Sequence, residues 1–89
     1  MRKKFVVTEK NLAKGERGDS LYCPIARSIR PNIEGDVSVL DDRVIIYFAG
    51  DDLEFKLPLK AIESLKRFDK GLTVLPFSFF LDLPEKIIR

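Results

Sequence analysis

The residues best suited to chemistry lie between positions 14 and 30, where a glycine-punctuated basic loop runs into a short helix with two arginines near its end. Gly15 and Gly18 leave the backbone free for its N–H groups to converge on an anion, and a helix start adds positive potential. We predict that four cations contact such an anion: Lys14, Arg17, Arg27 and Arg30. The loop is not a P-loop, because no Lys-Ser or Lys-Thr pair follows its last glycine.

The same residues also allow a purely structural interpretation, which we favour for the loop. Gly15 would end one helix and Asp19 would cap the next with its own carboxylate, while Glu16 would repel an anion. Arg27 and Arg30, one helical turn apart, would then stabilise the dipole of their helix. They are equally suited to presenting a joint surface to phosphate or carboxylate. Both interpretations of this pair stay open.

The composition gives little support to nucleophilic or metal chemistry. The chain has no histidine and one cysteine, which excludes Ser-His and Cys-His pairs, histidine metal sites and an intramolecular disulfide. We expect Cys23, which precedes a proline, to be a small buried residue or a helix cap rather than a reactive thiol. The acidic pairs 41–42 and 51–52 suit hairpin turns better than catalysis or metal binding. We predict no catalytic residue, no metal site, no cofactor and no enzymatic activity.

Length and charge indicate the class of protein. With 89 residues, the chain is long enough for one small domain with one modest core. Residues 1–30 carry eight Lys and Arg against three Asp and Glu, whereas residues 31–57 carry two against seven, so the molecule should be polarised. No apolar run approaches the ~20 residues that cross a bilayer, and the N-terminus indicates a strand rather than a signal peptide. A single cysteine suits a reducing cytoplasm.

Hydrophobic periodicity and turn residues predict the elements that position these side chains. In chain order they are a strand over 5–7, a helix over 9–14, a second helix from Asp19 or Ser20 to Pro31, strands over 37–40, 44–48 and 53–57, a main helix from Pro58 to about Lys70, and a strand over 77–83. This β-α-α-β-β-β-α-β order predicts one α+β domain over residues 1–89, with helices packed on a mostly antiparallel sheet.

Apolar spacing predicts which faces of these elements are buried. The main helix should bury one stripe, formed by Leu59, Ile62, Leu65 and Phe68. The second helix should bury another, formed by Leu21, Ile25, Ala26 and Ile29. The middle strand of the meander is apolar on both faces, which places it at the centre of a sheet with both sides at least partly covered.

Two aromatic residues, Tyr47 and Phe80, could belong to a partner or self-association surface, which would allow a homo-oligomer. For Tyr47 and its neighbour Ile45, we favour a structural interpretation in which the N-terminal strand and the short helices cover that face. For Phe80, which lies opposite the core face of the last strand, both interpretations stay open.

Three stretches of the chain together resemble a family of small bacteriophage and prophage proteins. They are Lys14-Gly15 through Arg17-Gly18-Asp19 to Cys23-Pro24-Ile25-Ala26; Leu57-Pro58 at the start of the main helix; and Phe68-Asp69-Lys70-Gly71 leading to Val74, Pro76-Phe77-Ser78-Phe79 and Leu81. They cover most of the chain in the same order. The resemblance implies a phage origin and a place in the host cytoplasm. Small phage proteins of this kind tend to modulate a host protein or counter a host defence, but the resemblance implies no mechanism.

These observations predict a non-enzymatic binding protein that occludes a host protein or sequesters an anionic ligand, with Arg17, Arg27 and Arg30 as cationic contacts. A host protein is the favoured partner, ahead of a small anionic nucleotide, and no membrane partner is expected. The alternative is a nucleic-acid-binding regulator that uses the basic N-terminal third. Such a regulator would be expected to carry more cations, interleaved with exposed aromatic residues.

Overall fold

A computed structural model describes all 89 residues of the chain. In chain order its elements are β1 (Arg2–Val7), α1 (Glu9–Lys14), α2 (Pro24–Ile29), β2 (Asp36–Leu40), β3 (Arg43–Phe48), β4 (Asp51–Lys56), α3 (Leu59–Asp69) and β5 (Phe77–Asp82). Short 3-10 turns lie at Arg30–Asn32 and Glu85–Ile87. The predicted α+β class and the order of the elements are confirmed. None of the helices has the length and apolar character needed to cross a bilayer.

The strands form two antiparallel sheets rather than the single sheet that we expected. β1 pairs with β5, while β2, β3 and β4 form the predicted meander. The preceding loop covers the outer edge of β2, because the Val39 N–H donates to the Ser20 carbonyl at 2.8 Å. The Arg30 side chain also donates to the Val37 carbonyl, at 3.3 Å. This cover removes the edge at which a strand of the other sheet could join β2.

Both sheets and α2 contribute to one core. α2 is buried along most of its length, since Ile25, Ala26 and Ile29 all face the interior. The β1–β5 sheet adds Phe5, Val7, Phe79 and Leu81, and the meander adds Val37, Val39, Val44 and Ile46. The Phe5 and Phe79 rings stack with their centroids 5.6 Å apart, which ties β1 to β5 inside this core.

The start of α2 differs from the prediction. The helix begins at Pro24, with Cys23 as its N-cap, and not at residue 19 or 20. The Asp19 carboxylate instead closes a turn, accepting the N–H groups of Leu21 and Tyr22 at 2.8 and 3.0 Å. Leu21 is therefore a loop residue with 40% of its surface exposed, and its predicted place on the buried face is wrong.

The buried face of α3 is rotated from the predicted stripe. Ala61 and Leu65 are buried and Ile62 is half-buried, whereas Leu59 is 69% exposed. Residues 59 and 61 lie about 200° apart on a helix of 3.6 residues per turn, so burying Ala61 turns Leu59 outward. The predicted place of Leu59 in the core is wrong, and that of Leu65 is confirmed.

Candidate functional site

Five cations from three parts of the chain line one cleft of about 520 Å³, which we call the basic cleft. They are Lys10, Lys14, Arg27, Arg30 and Arg89. The rest of the wall is formed by Asn11, Pro31 and Gly35, so no acidic and no aromatic side chain lines it. Like charges held this close focus a positive potential on the cleft.

α1 supplies one wall of the basic cleft, with Lys10 and Lys14 on neighbouring turns of the helix. A reciprocal pair of hydrogen bonds fixes the start of this six-residue helix. The Thr8 hydroxyl accepts the Asn11 N–H at 3.1 Å, and the Asn11 side-chain oxygen accepts the Thr8 N–H at 3.0 Å. This capping box stabilises a helix that would be marginal on its own, because helices this short form poorly in isolation.

α2 and the 3-10 turn after it supply Arg27 and Arg30, and α2 packs closely against the end of α1. The contact is made at Gly15, where a Cβ atom would lie 2.6 Å from the Pro24 ring. Gly15 has an ordinary negative φ of −65°, so space and not backbone conformation calls for glycine here. This close approach fixes how far the lysines of α1 stand from Arg27 and Arg30.

Arg27 is oriented by contacts on one side of its guanidinium group. Its Nε donates to the Tyr22 carbonyl at 3.1 Å, and its Cζ lies 5.5 Å from the centroid of the Tyr22 ring. Its two terminal nitrogens donate to no group of the protein, so they are free to bind a ligand. An arginine held in this way presents a planar pair of donors with little further loss of side-chain freedom.

Arg30 lines the same cleft but is engaged with the protein. Its Nε donates to an Asp36 carboxylate oxygen at 3.1 Å, and one terminal nitrogen donates to the carbonyls of Leu21 and Val37. The Val37 N–H, and after it the Arg30 side chain, hold the pKa of Asp36 below its usual value. The main role of Arg30 is therefore to join the loop before α2 to β2. Its charge contributes to the cleft as well.

Arg17 does not line the basic cleft. Its guanidinium group lies beside Gly71, just after α3, where a Cβ atom would stand 3.4 Å from the Arg17 Cζ. The loop turns in this direction because the Gly18 N–H donates to the Asp69 carboxylate at 3.0 Å. A cation at the end of a helix is favoured by the helix dipole. Of the four cations predicted to act together, the cleft brings together Lys14, Arg27 and Arg30.

The loop between α1 and α2 directs its backbone N–H groups at acceptors within the protein. Those of Leu21 and Tyr22 bind Asp19, and that of Glu16 donates to the Tyr22 carbonyl at 2.9 Å. With that of Gly18 on Asp69, these groups do not converge on an empty space. The structural interpretation is therefore right for Gly15, which ends α1, and wrong for Asp19, which closes a turn and does not cap α2.

Lys10 and Arg89 were not among the predicted contact residues. Lys10 precedes Lys14 by four residues in a predicted helix, a spacing that could have revealed it. No local sequence pattern indicates Arg89, because tertiary contacts bring it to the cleft. Its N–H donates to the Asn32 carbonyl at 3.0 Å, and its Nε lies 3.6 Å from a Glu34 carboxylate oxygen.

Cys23 and the acidic pair 41–42 line a second cleft, of about 410 Å³, in which four of the eleven lining residues are aspartates. Cys23 is 2% exposed and its Sγ accepts the Ala26 N–H at 3.4 Å, which confirms the buried and capping roles predicted for it. Burial raises the pKa of the Cys23 thiol, so the thiol form predominates. Asp42 is paired with Arg43, whose hydrogen bond lowers the pKa of this carboxyl group. No group of three acidic or cysteine side chains is placed to hold a metal ion.

Tyr47 and Phe80 lie on different sheets. Tyr47 is 40% exposed, so the expectation that β1 and the short helices cover it is wrong; its hydroxyl is hydrogen-bonded to Ser38 at 2.9 Å. Phe80 is 42% exposed, and the Arg2 guanidinium lies 4.1 Å from its ring centroid. The Arg2 side chain therefore partly covers the ring of Phe80.

Comparison with protein-family models, with curated proteins and with solved structures finds no match to this chain. The likeness to small phage proteins stays a prediction, and the basic cleft is the feature from which a function can be argued.

Proposed function

We propose that this chain is a non-enzymatic binding protein that engages an anionic segment of a partner protein through the basic cleft. The single observation that carries the proposal is the set of five cations on a wall without acidic residues. Three of the five, Lys10, Lys14 and Arg27, form no ion pair within the protein, so their charges are available to a partner.

The partner class follows from the resemblance to phage proteins together with this charge. A phage-encoded protein would meet its partner in the host cytoplasm and would act by occlusion, covering an acidic surface that the host protein needs. Electrostatic complementarity of this kind raises the rate of encounter and selects against wrong partners. Host takeover or resistance to a defence system is the role that this mechanism would serve.

Nucleic-acid binding is the alternative, and the composition of the cleft favours it less. Binding to single strands usually pairs cations with aromatic rings on which bases stack. The basic cleft has no aromatic lining residue, and the nearby Tyr22 ring is flanked by the guanidinium groups of Arg27 and Arg30, at 5.5 and 5.4 Å. Arg2 and Lys4 lie on β1 and do not line the basic cleft, so the cleft gathers only part of the charge of the basic N-terminal third.

The test compares a fluorescent octaglutamate peptide with a 20-nucleotide single strand of thymidylate, by anisotropy at low ionic strength. We expect the peptide to bind, and the variants Lys14→Glu and Arg27→Glu to weaken it roughly tenfold or more, since like charges across an interface are strongly unfavourable. Lys66→Glu is the matched control, because it changes the net charge equally on an exposed part of α3 outside the cleft.

Equal weakening by all three variants would show attraction to net charge alone and would overturn the proposal. Tighter binding of the thymidylate strand, lost in the two cleft variants and falling steeply with salt, would favour the nucleic-acid alternative.

A further inference from the structure

We propose that the basic cleft recognises a phosphate group, carried by the partner as a phosphomonoester, in preference to carboxylates. This inference rests on the proposed function and names the chemistry of its ligand. It follows from three features of the cleft wall: side chains that are almost all hydrogen-bond donors, the lack of aromatic side chains, and the free terminal nitrogens of Arg27.

The side chains that line the cleft can donate hydrogen bonds but have no free acceptor to offer. Lysine and arginine are donors only. The one lining side chain with an acceptor is Asn11, and its oxygen already accepts the Thr8 N–H at 3.0 Å. A ligand that binds here must itself be rich in acceptors. A phosphomonoester near neutral pH offers three acceptor oxygens and a charge between about −1.5 and −2.

The wall also lacks the surface that other anions would use. It contains no aromatic side chain, and Pro31 is its one apolar residue, so a nucleobase finds no ring to stack on and an apolar peptide anchor finds no hydrophobic pocket. The volume of about 520 Å³ is within the range of ordinary small-ligand sites, which leaves room for the side chain that carries the phosphate. A compact and strongly charged group fits these properties better than an extended chain of separate carboxylates.

Arg27 supplies the directional contact. With Nε taken by the Tyr22 carbonyl, the two terminal nitrogens remain as a pair of donors that bind no group of the protein. Such a pair suits the bidentate geometry that arginine makes with phosphate oxygens. Lys10 and Lys14 then add charge without a fixed direction, and the Arg30 guanidinium also lies near the Tyr22 ring, 5.4 Å from its centroid.

The chain has no histidine, which makes the ionisation of the ligand itself observable. The groups that face the cleft are the lysines and arginines of its wall, with Asp36 and Glu34 paired to Arg30 and Arg89 at its margin. Lysine, arginine and carboxyl side chains ordinarily titrate outside pH 5.5–7.5, whereas the second ionisation of a phosphomonoester lies near pH 6. Binding of a phosphopeptide should therefore tighten as the pH rises from 5.5 to 7.5, and binding of a carboxylate peptide should stay level.

The experiment measures three probes on the full chain at constant ionic strength: a peptide with two phosphoserines, the same peptide with glutamate at both positions, and inorganic pyrophosphate. We expect the phosphopeptide to bind about tenfold more tightly than the glutamate peptide at pH 7.5, as its greater charge and its bidentate contact require. Arg27→Lys, which keeps the charge and removes the paired donors, should reduce this preference. Lys66→Arg, outside the cleft, should leave it unchanged.

The outcomes separate this inference from the proposed function. Equal and pH-independent binding of both peptides, still lost in Arg27→Glu, would overturn the preference for phosphate and leave the proposed function standing. If neither peptide bound in a way that depended on the cleft residues, both proposals would fail. Pyrophosphate binding as tight as that of the phosphopeptide would support the phosphate chemistry and assign its source to a free condensed phosphate.

Discussion

The backbone N–H of Gly18 donates a hydrogen bond to the side chain of Asp69, at 3.0 Å, across 51 residues of sequence. This bond joins the loop before α2 to the end of α3, and it explains why Arg17 turns toward Gly71 instead of the basic cleft. The placement of one predicted contact residue thus depends on a carboxylate that lies far away in the sequence.

Removing this carboxylate should destabilise the fold modestly. We expect Asp69→Ala to lower the free energy of unfolding by about 1 kcal/mol, the usual net worth of one such hydrogen bond. Asp69→Asn keeps an acceptor oxygen and should lower the free energy of unfolding by less. Urea unfolding followed by circular dichroism measures both. Equal losses in the two variants would show that charge, and not the bond to Gly18, is what stabilises this junction.

Gly35 should tolerate no side chain. Its φ is +90°, and a Cβ atom would lie well inside 3.0 Å of the Tyr47 carbonyl oxygen. Gly50 has a similar φ of +83° but open space around it, so it serves as the control. We expect Gly50→Ala to lower the free energy of unfolding by about 1 kcal/mol, because of the backbone conformation. Gly35→Ala should lower it by at least about 1 kcal/mol more, because of the clash. Thermal unfolding of the two variants would be compared; equal losses would contradict the clash.

The hydrogen bonds that the Asp36 carboxylate accepts from Val37 and Arg30 should make stability depend on pH in the acidic range. The Val37 N–H and the Arg30 side chain hold the pKa of Asp36 below its unfolded value. The stabilisation is therefore fully present above the unfolded pKa and is lost as the pH falls through the folded pKa. Asp36→Asn should be less stable than the parent at pH 7, and the difference should shrink toward zero below pH 4. A difference that stays constant from pH 7 to pH 2.5 would contradict this.

Cys23 should be slow to react in the folded protein. Burial raises the pKa of its thiol, and the nearby carboxylates of Asp69 and Asp19 raise it further, so little thiolate is present at pH 8. We expect an aromatic disulfide reagent to label native protein much more slowly than protein in 8 M urea. The labelling rate of Asp69→Ala, which lacks one of the two carboxylates, would be compared with that of the parent protein. Rapid labelling of the native protein would show that the thiol is exposed by frequent opening of the loop.

Local patterns predicted most of the elements, because periodicity and turn residues act within a few positions. The meander, α1, α3 and β5 all lie within a few residues of their predicted bounds. The exposure of Leu59 was not predictable in this way, since Ala61 and Leu59 are both acceptable core residues. The contact with the rest of the core decided which of the two faces inward.

The candidate site was only partly predictable, because tertiary contacts assemble it. Lys14, Arg27 and Arg30 were found from a local cluster of cations, and the cleft does bring them together. Arg89 reaches the cleft through the pairing of Ile88 with Ile33, which no local pattern indicates. The division into two sheets likewise depends on the loop that covers β2.

Arg30 has a second structural role, which limits the substitutions that the cleft can accept during evolution. It gives charge to the binding wall, and it also covers the backbone of β2 at Val37. An uncovered strand edge invites pairing between molecules, so a substitution at position 30 made to alter affinity would also risk self-assembly. Lys10 and Lys14 do not cover a strand edge. Natural variation in the strength of binding should therefore be concentrated at these two lysines, while position 30 stays fixed.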